Sequence, residues 1–177
     1  MEYAANAIGI AAVALFVLSY QMKKRRTIVW CNVISRALYV IQYVLLTAFE
    51  GAVLDVIGIL ASVLAQRKDM PFIQKHLKAV IAVVNVLIVT AGILLYENVF
   101  SLLPVLGVLL HTGAFWLSDE QKIRRVSFLG SPFWLMYNLI SHAYGSALGD
   151  AMTMVSLAVA MVRYGRGKKA ELHPQNK

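Results

Sequence analysis

"AFEGAVLDVIGILASVLA", residues 48–65, and "AYGSALGDAMTMVSLAVA", residues 143–160, are both apolar, each carries one aspartate, and they start 95 positions apart. Laid on one another without a gap they match at Ala48/Ala143, Ala52/Ala147, Asp55/Asp150 and Ala65/Ala160. Those identities alone would be weak. What strengthens them is that polar and small residues recur at the same offset elsewhere, at the three-and-four spacing that aligns side chains on one helical face. Asn32, Ser35, Arg36, Tyr39 and Tyr43 form such a stripe, with Gln42 at its edge. Ser127, Ser131, Trp134 and Asn138 occupy the equivalent places, with Tyr137 matching Gln42. Gly51, Asp55, Gly58 and Ser62 answer to Ser146, Asp150 and Thr153, and Gly9, Ala12, Phe16 and Ser19 to Pro104, Gly107, His111 and Ala114. The pattern predicts two copies of a three-helix unit, each presenting one small-and-polar face.

The composition says in what medium these helices sit. Of 177 residues, 59% are hydrophobic and 15% charged, against roughly 45–50% and about 25% in an average soluble domain. That balance predicts an integral membrane protein. Seven segments approach the about 20 apolar residues that cross a bilayer: 4–22, 27–46, 50–66, 77–96, 99–117, 124–141 and 146–163. The first is expected to be a span and not a cleaved signal, since it follows Glu2 and ends in Lys23, Lys24, Arg25 and Arg26. The net charge of +8 is gathered in the joints after the first, third and fifth segments and in the tail. Loop lysines and arginines stay cytoplasmic, so the expected topology is N-terminus outside and C-terminus cytoplasmic. The basic clusters are then topology signals, and no nucleic-acid partner is expected. The one cysteine, Cys31, permits no internal disulfide and is expected to be a small buried residue.

The expected fold class is an all-α membrane protein with seven transmembrane helices in a 3+1+3 arrangement of two parallel triple-helix repeats. The first repeat covers 1–68, a linker helix 69–98, the second repeat 99–165 and a basic cytoplasmic tail 166–177. The fourth segment has no mate in the repeat, and its single crossing keeps both triplets in one orientation.

Arg36 is the lone Lys or Arg outside the cytoplasmic regions. An ionisable group within a span costs at least about 2.5–3.5 kcal/mol on insertion scales, so it faces a cavity or a partner. A rise of about 1.5 Å per residue puts Arg36 near mid-membrane, and Asp55 and Asp150 nearer the outer boundary. An extended arginine can reach across that gap. Two options stay open: Arg36 is a fixed partner for Asp55 or Asp150, or it anchors an anionic group on a ligand, and the first is preferred. One arginine cannot neutralise two carboxylates, so Asp55 and Asp150 are candidates for proton coupling. His111, also near mid-membrane, is read first as a hydrogen-bonded packing residue, with proton coupling as its alternative role. Tyr39, Tyr43, Trp134, Tyr137 and Asn138 could line an aromatic and amide pocket. Pro132 removes a backbone hydrogen bond from the sixth segment and is a candidate hinge. The glycines, alanines and serines of the stripes read as packing surfaces. The chain contains no HExxH, nucleophile elbow or glycine-rich phosphate loop. No catalytic residue, metal or cofactor is expected, and the chain is not expected to be an enzyme.

"LSYQMKKRRT" (18–27), "ALYVIQYVLLTAFEGAVLD" (37–55), "SLLPVLG" (101–107) and "SPFWLMYN" (131–138) together resemble the YgjV-type bacterial inner-membrane protein family. The resemblance runs over nearly the whole chain and implies a multi-pass protein of the bacterial inner (cytoplasmic) membrane. The layout is similar to that of the SWEET sugar facilitators, the PnuC vitamin transporters and the KDEL receptor, relatives of the PQ-loop group. This similarity implies a pocket between the triplets, with Asp55 and Asp150 as the polar residues of each third helix and Tyr39 and Trp134 as the aromatics of each second. Two departures stand out: Tyr20–Gln21 occupies the place of Pro-Gln, with Trp116 for the second glutamine, and carboxylates replace neutral amides. The expected function is a small transporter or facilitator of a polar metabolite (vitamin, nucleoside, sugar-like or small anionic solute) by alternating access. The alternative is a ligand-binding membrane receptor or accessory protein of the same fold. The expected partners are a small-molecule ligand and the lipid bilayer, and the protein could form a homodimer.

Overall fold

The computed structural model describes residues 2–45, 49–96, 98–140 and 144–172. The described residues form helices α1 (Glu2–Ser19), α2 (Arg25–Leu45), α3 (Phe49–Gln66), α4 (Pro71–Lys75), α5 (Leu77–Leu94), α6 (Leu102–Phe115), α7 (Glu120–Ile140) and α8 (Tyr144–Leu172), with a 3-10 turn at Val99–Ser101. In each triplet the second helix packs between the first and third: α2 against α1 and α3, α7 against α6 and α8. Contacts of α1 with α8 and of α3 with α6 close the six into a ring, while α5 lies outside it against α3 and α6. Exchanging the triplets leaves the ring's own contacts unchanged, as the offset of 95 predicts, and α5 breaks that symmetry.

The ring buries polar and ionisable side chains among small and apolar ones and turns large apolar residues outward, unlike a protein folded in water. Ser19, Asn32, Ser35, Arg36, Asp55, Ser62, His111, Thr112, Ser127, Ser131, Asn138 and Thr153 are buried. Along α8 the outward stripe is Leu148, Met152, Val155, Val159 and Val162, all exposed, as apolar lipid would favour. The α5 helix buries only Val84, Ile88, Ala91 and Gly92 and exposes Val83, Val86, Leu87, Ile93 and Leu94. Three described helices are long and apolar enough on their own to cross a membrane: Arg25–Leu45, Leu77–Leu94 and Ala147–Gly165. Ala7–Ser19, Gly51–Gln66 and Val99–Phe115 are apolar but shorter. The α7 helix has 21 residues but carries Glu120, Lys122, Arg124 and Arg125 in its first two turns.

Several helix ends differ from the expected segments for local reasons. The first helix stops at Ser19 and not at residue 22, and the Ser19 hydroxyl folds back onto Phe16 O at 2.6 Å. The sixth segment starts four residues earlier, at Glu120, where Asp119 Oδ1 accepts from Lys122 N at 2.9 Å and caps the helix. The fifth begins with the 3-10 turn, capped by Asn98, whose side chain accepts from Phe100 N. The last helix continues to Leu172, so most of the basic tail is helical and not a separate element, while residues 173–177 lie outside the described residues. Pro132 lies within an unbroken α7. Cys31 is half-exposed, not buried.

Glycine spacing sets how closely these helices approach. A Cβ on Gly92 would run into the Val105 side chain, whereas one on Gly113 meets nothing within 4 Å. Gly92→Leu should therefore push α5 off α6 and destabilise the protein by about 1–3 kcal/mol, the usual cost of overpacking. Gly113→Ala should leave the unfolding temperature in detergent unchanged.

Candidate functional site

The candidate site begins with Arg36, midway along α2. Its Nη1 donates to Asp55 Oδ1 on α3 at 2.5 Å, and the two residues are 3% and 5% exposed. Of the two roles open to Arg36, the geometry selects the ion pair with Asp55. Room for the guanidinium comes from Gly58, where a Cβ would sit 2.7 Å from Nη1. The second triplet inverts this size relation: Ser131 stands for Arg36 and Thr153 for Gly58. Asp150, mate of Asp55, accepts instead from Asn138 Nδ2 at 2.7 Å. Asn138 corresponds to Tyr43, not Arg36. Each aspartate is thus held by the second helix of its own triplet, through a cation in one and a neutral amide in the other.

These groups surround one cavity. Its lining consists of Phe16 and His111, Tyr39 and Trp134, Tyr43 and Asn138, Asp55 and Asp150, with Arg36 added. Each pair is separated by 95 positions, so the lining is a twofold set plus the arginine that breaks the symmetry. The space open to the centre of a water molecule is about 40 Å³. One water needs about 10–15 Å³ on that measure. The cavity as it stands therefore holds a few waters, and admitting a metabolite requires the triplets to part.

The aromatic lining is itself ordered. Tyr39 and Tyr43 stack at 6.1 Å, and Phe16 meets Tyr39 edge-on at 6.5 Å. A Cβ on Gly107 would come within 2.6 Å of Trp134 Nε1, so that glycine lets the indole lie against α6. His111 Nε2 donates to Ser127 O at 2.9 Å, leaving Nδ1 buried and unpartnered among the described residues. Tyr137, expected in the pocket, is outside the cavity lining and packs edge-on behind Trp134 at 6.4 Å. Phe16 was not among the expected site residues, although its place opposite His111 in the repeat marks it.

A second constellation sits at the basic end, where two arginines cross between the triplets. Arg25 on α2 donates to Phe115 O at 2.5 Å and Leu117 O at 2.8 Å, and also to Ala65 O at 2.7 Å. Arg124 on α7 donates to Tyr20 O at 3.1 Å and Met22 O at 2.7 Å. Tyr20 and Phe115 are repeat mates, as are Met22 and Leu117, but Arg25 and Arg124 are not. Equivalent helix C-termini, whose free carbonyls attract cations, are thus clamped by arginines that arose at unrelated positions. Gln21 Nε2 to Ser156 O at 2.7 Å, Tyr164 Oη to Gln21 O at 2.7 Å and Lys68 Nζ to Trp116 O at 3.0 Å join the same end. Partial burial, and then the charge of Arg25, hold the Lys68 ammonium below the ordinary lysine range. The sequence marked these basic residues as topology signals and did not distinguish the clamps from the rest.

A ring of helices that gathers ionisable side chains around an internal cavity and turns apolar residues outward has the character of an integral membrane protein. The chain belongs to the Imp-YgjV family, described as "Bacterial inner membrane protein", whose model matches residues 3–168. No curated protein and no solved structure matches it.

Removing one partner of a buried ion pair strands the other charge, at a cost of about 3–5 kcal/mol, whereas replacing both with apolar groups is far milder. Asp55→Ala should lower the unfolding free energy in detergent by that amount, and Arg36→Leu combined with Asp55→Leu should recover most of it.

Proposed function

We propose that the chain crosses the membrane seven times, N-terminus outside and C-terminus cytoplasmic, and transports a polar metabolite by rocking one triplet against the other. The observation that carries this reading is the position of the cavity. It lies between two repeats and takes its walls in equal pairs from both, as expected for a site that each repeat must close over in turn. The short helices α1, α3 and α6 are spans on this reading because they pack within the ring and present apolar residues outward. With Arg36 engaged by Asp55, the anionic members of the expected substrate set are the least supported. Pro132, four residues after the Phe128 carbonyl it leaves without a helical donor, is the proposed hinge of α7.

The receptor alternative is separated from transport by flux. Wild-type protein in proteoliposomes should accumulate at least one labelled solute from a panel of vitamins, nucleosides, sugars and amino acids. Asp150→Asn should abolish that uptake while still inserting and eluting as a folded species. A solute that raises the unfolding temperature but never crosses would favour the receptor.

On this reading the Arg25 and Arg124 clamps hold the cytoplasmic side shut. Replacing both with alanine should speed labelling of a cysteine placed at Phe16, in a Cys31→Ser background, by a thiol reagent applied to the cytoplasmic face. Equal labelling rates would show that the clamps do not gate the cavity.

A further inference from the structure

Among the described residues the ionisable groups around the cavity do not all pair off. Arg36 from α2 and Asp55 from α3 neutralise one another. From α6, His111 donates through Nε2 to Ser127 O and offers only the lone pair of Nδ1. From α8, Asp150 faces the cavity with the Asn138 amide as its hydrogen-bond donor and, among the described residues, no cation in reach. Among the described residues this carboxylate has no counter-charge in a site of low dielectric, where it must either take up a proton or meet a cation. Around it stand four aromatic side chains, Phe16, Tyr39, Tyr43 and Trp134. Aromatic faces carry negative potential and attract cations, Trp most strongly, and more so when water is excluded.

From this we infer that the ligand of the cavity is a small organic cation of the alkylammonium class, its charge opposite Asp150 and its alkyl groups against Trp134 and the tyrosines. The inference rests on the proposed function in taking the cavity as the ligand site. An anionic solute would find Arg36 already occupied and Asp150 repelling it. A neutral polyol would leave the carboxylate uncompensated and would meet aromatic faces where it needs hydrogen-bond partners. The repeat shows why the second triplet carries this role: replacing an arginine by Ser131 and the matching glycine by Thr153 leaves Asp150 free to meet an incoming charge. His111 Nδ1 is an acceptor available to a donor group on the ligand.

The test is binding to the purified full-length protein in detergent, read by unfolding temperature and by tryptophan fluorescence. The probes are tetramethylammonium, choline and ethylammonium chlorides, against sodium chloride, sodium acetate and glucose at matched ionic strength. The alkylammonium salts should give a saturable rise in unfolding temperature, and sodium chloride, acetate and glucose should not. Asp150→Asn, which keeps the shape of the side chain, should weaken that binding about tenfold or more, as expected when a desolvated charge contact is lost. Trp134→Phe should abolish the fluorescence change while retaining part of the thermal shift. No saturable effect of any alkylammonium, or an equal effect in Asp150→Asn, overturns the inference. Uptake of a neutral or anionic solute in the flux assay would then leave the transport reading standing without it. Binding of the cation with no flux would keep the inference and remove transport.

Discussion

A guanidinium halfway along a membrane helix must find a charge within reach of its own side chain, and that requirement organises the first triplet. Arg36 meets Asp55 one helix away, and the helices approach closely enough because Gly58 leaves its Cβ position to the guanidinium. Desolvating either charge alone would cost more than most single interactions in a protein contribute. The pair therefore fixes the register of α2 against α3. In the second triplet Ser131 stands at the place of Arg36, so Ser131 and Thr153 fill the equivalent space and the carboxylate of Asp150 takes an amide from two turns further along α7. The same backbone arrangement ends up with its carboxylate ion-paired on one side of the cavity and, among the described residues, held by a neutral amide on the other.

The two ends of the bundle divide the remaining polar work. The cavity, with its paired aromatic and carboxylate lining, takes its walls from turns along the lengths of the helices. The hydrogen bonds between triplets, among the described residues, gather at the basic end, where arginines reach helix C-termini across the interface. A set of bonds confined to one end of a twofold assembly is compatible with pivoting, because parting that end breaks few contacts elsewhere. The cavity walls are nearly symmetric, each repeat contributing matching residues. The clamps and the arginine are asymmetric, as elements that give a direction to motion or select a charge would be.

Much of this was legible in the sequence because helices in lipid write their faces plainly: polar residues recur every three or four positions and point inward. Eight of the ten residues singled out for the pocket, coupling or hinge line the cavity. Tyr137 lies outside the lining, and its mate Gln42 sits at the edge of its own stripe, a rotation of the helix too small for spacing to resolve. Pro132 sits in α7 outside the lining. Phe16 escaped notice because a phenylalanine on an apolar helix looks like any other packing residue until its partner across the repeat is a buried histidine. Helix ends moved because capping by Asp119 and Asn98 acts within one turn, below the resolution of an apolar run.

By itself the sequence determined the medium, the two copies of a three-helix unit and the polar face of each helix, since these follow from composition and from periods of three to four residues along one chain. Only the tertiary structure decided which of two aspartates Arg36 would hold, which carboxylate would have no cation beside it among the described residues, and that Arg25 and Arg124 reach across the interface to helix C-termini. Those outcomes depend on distances between helices far apart in sequence. At such distances a few ångströms of reach, or the absence of one Cβ, chooses between partners that the pattern treats as equal.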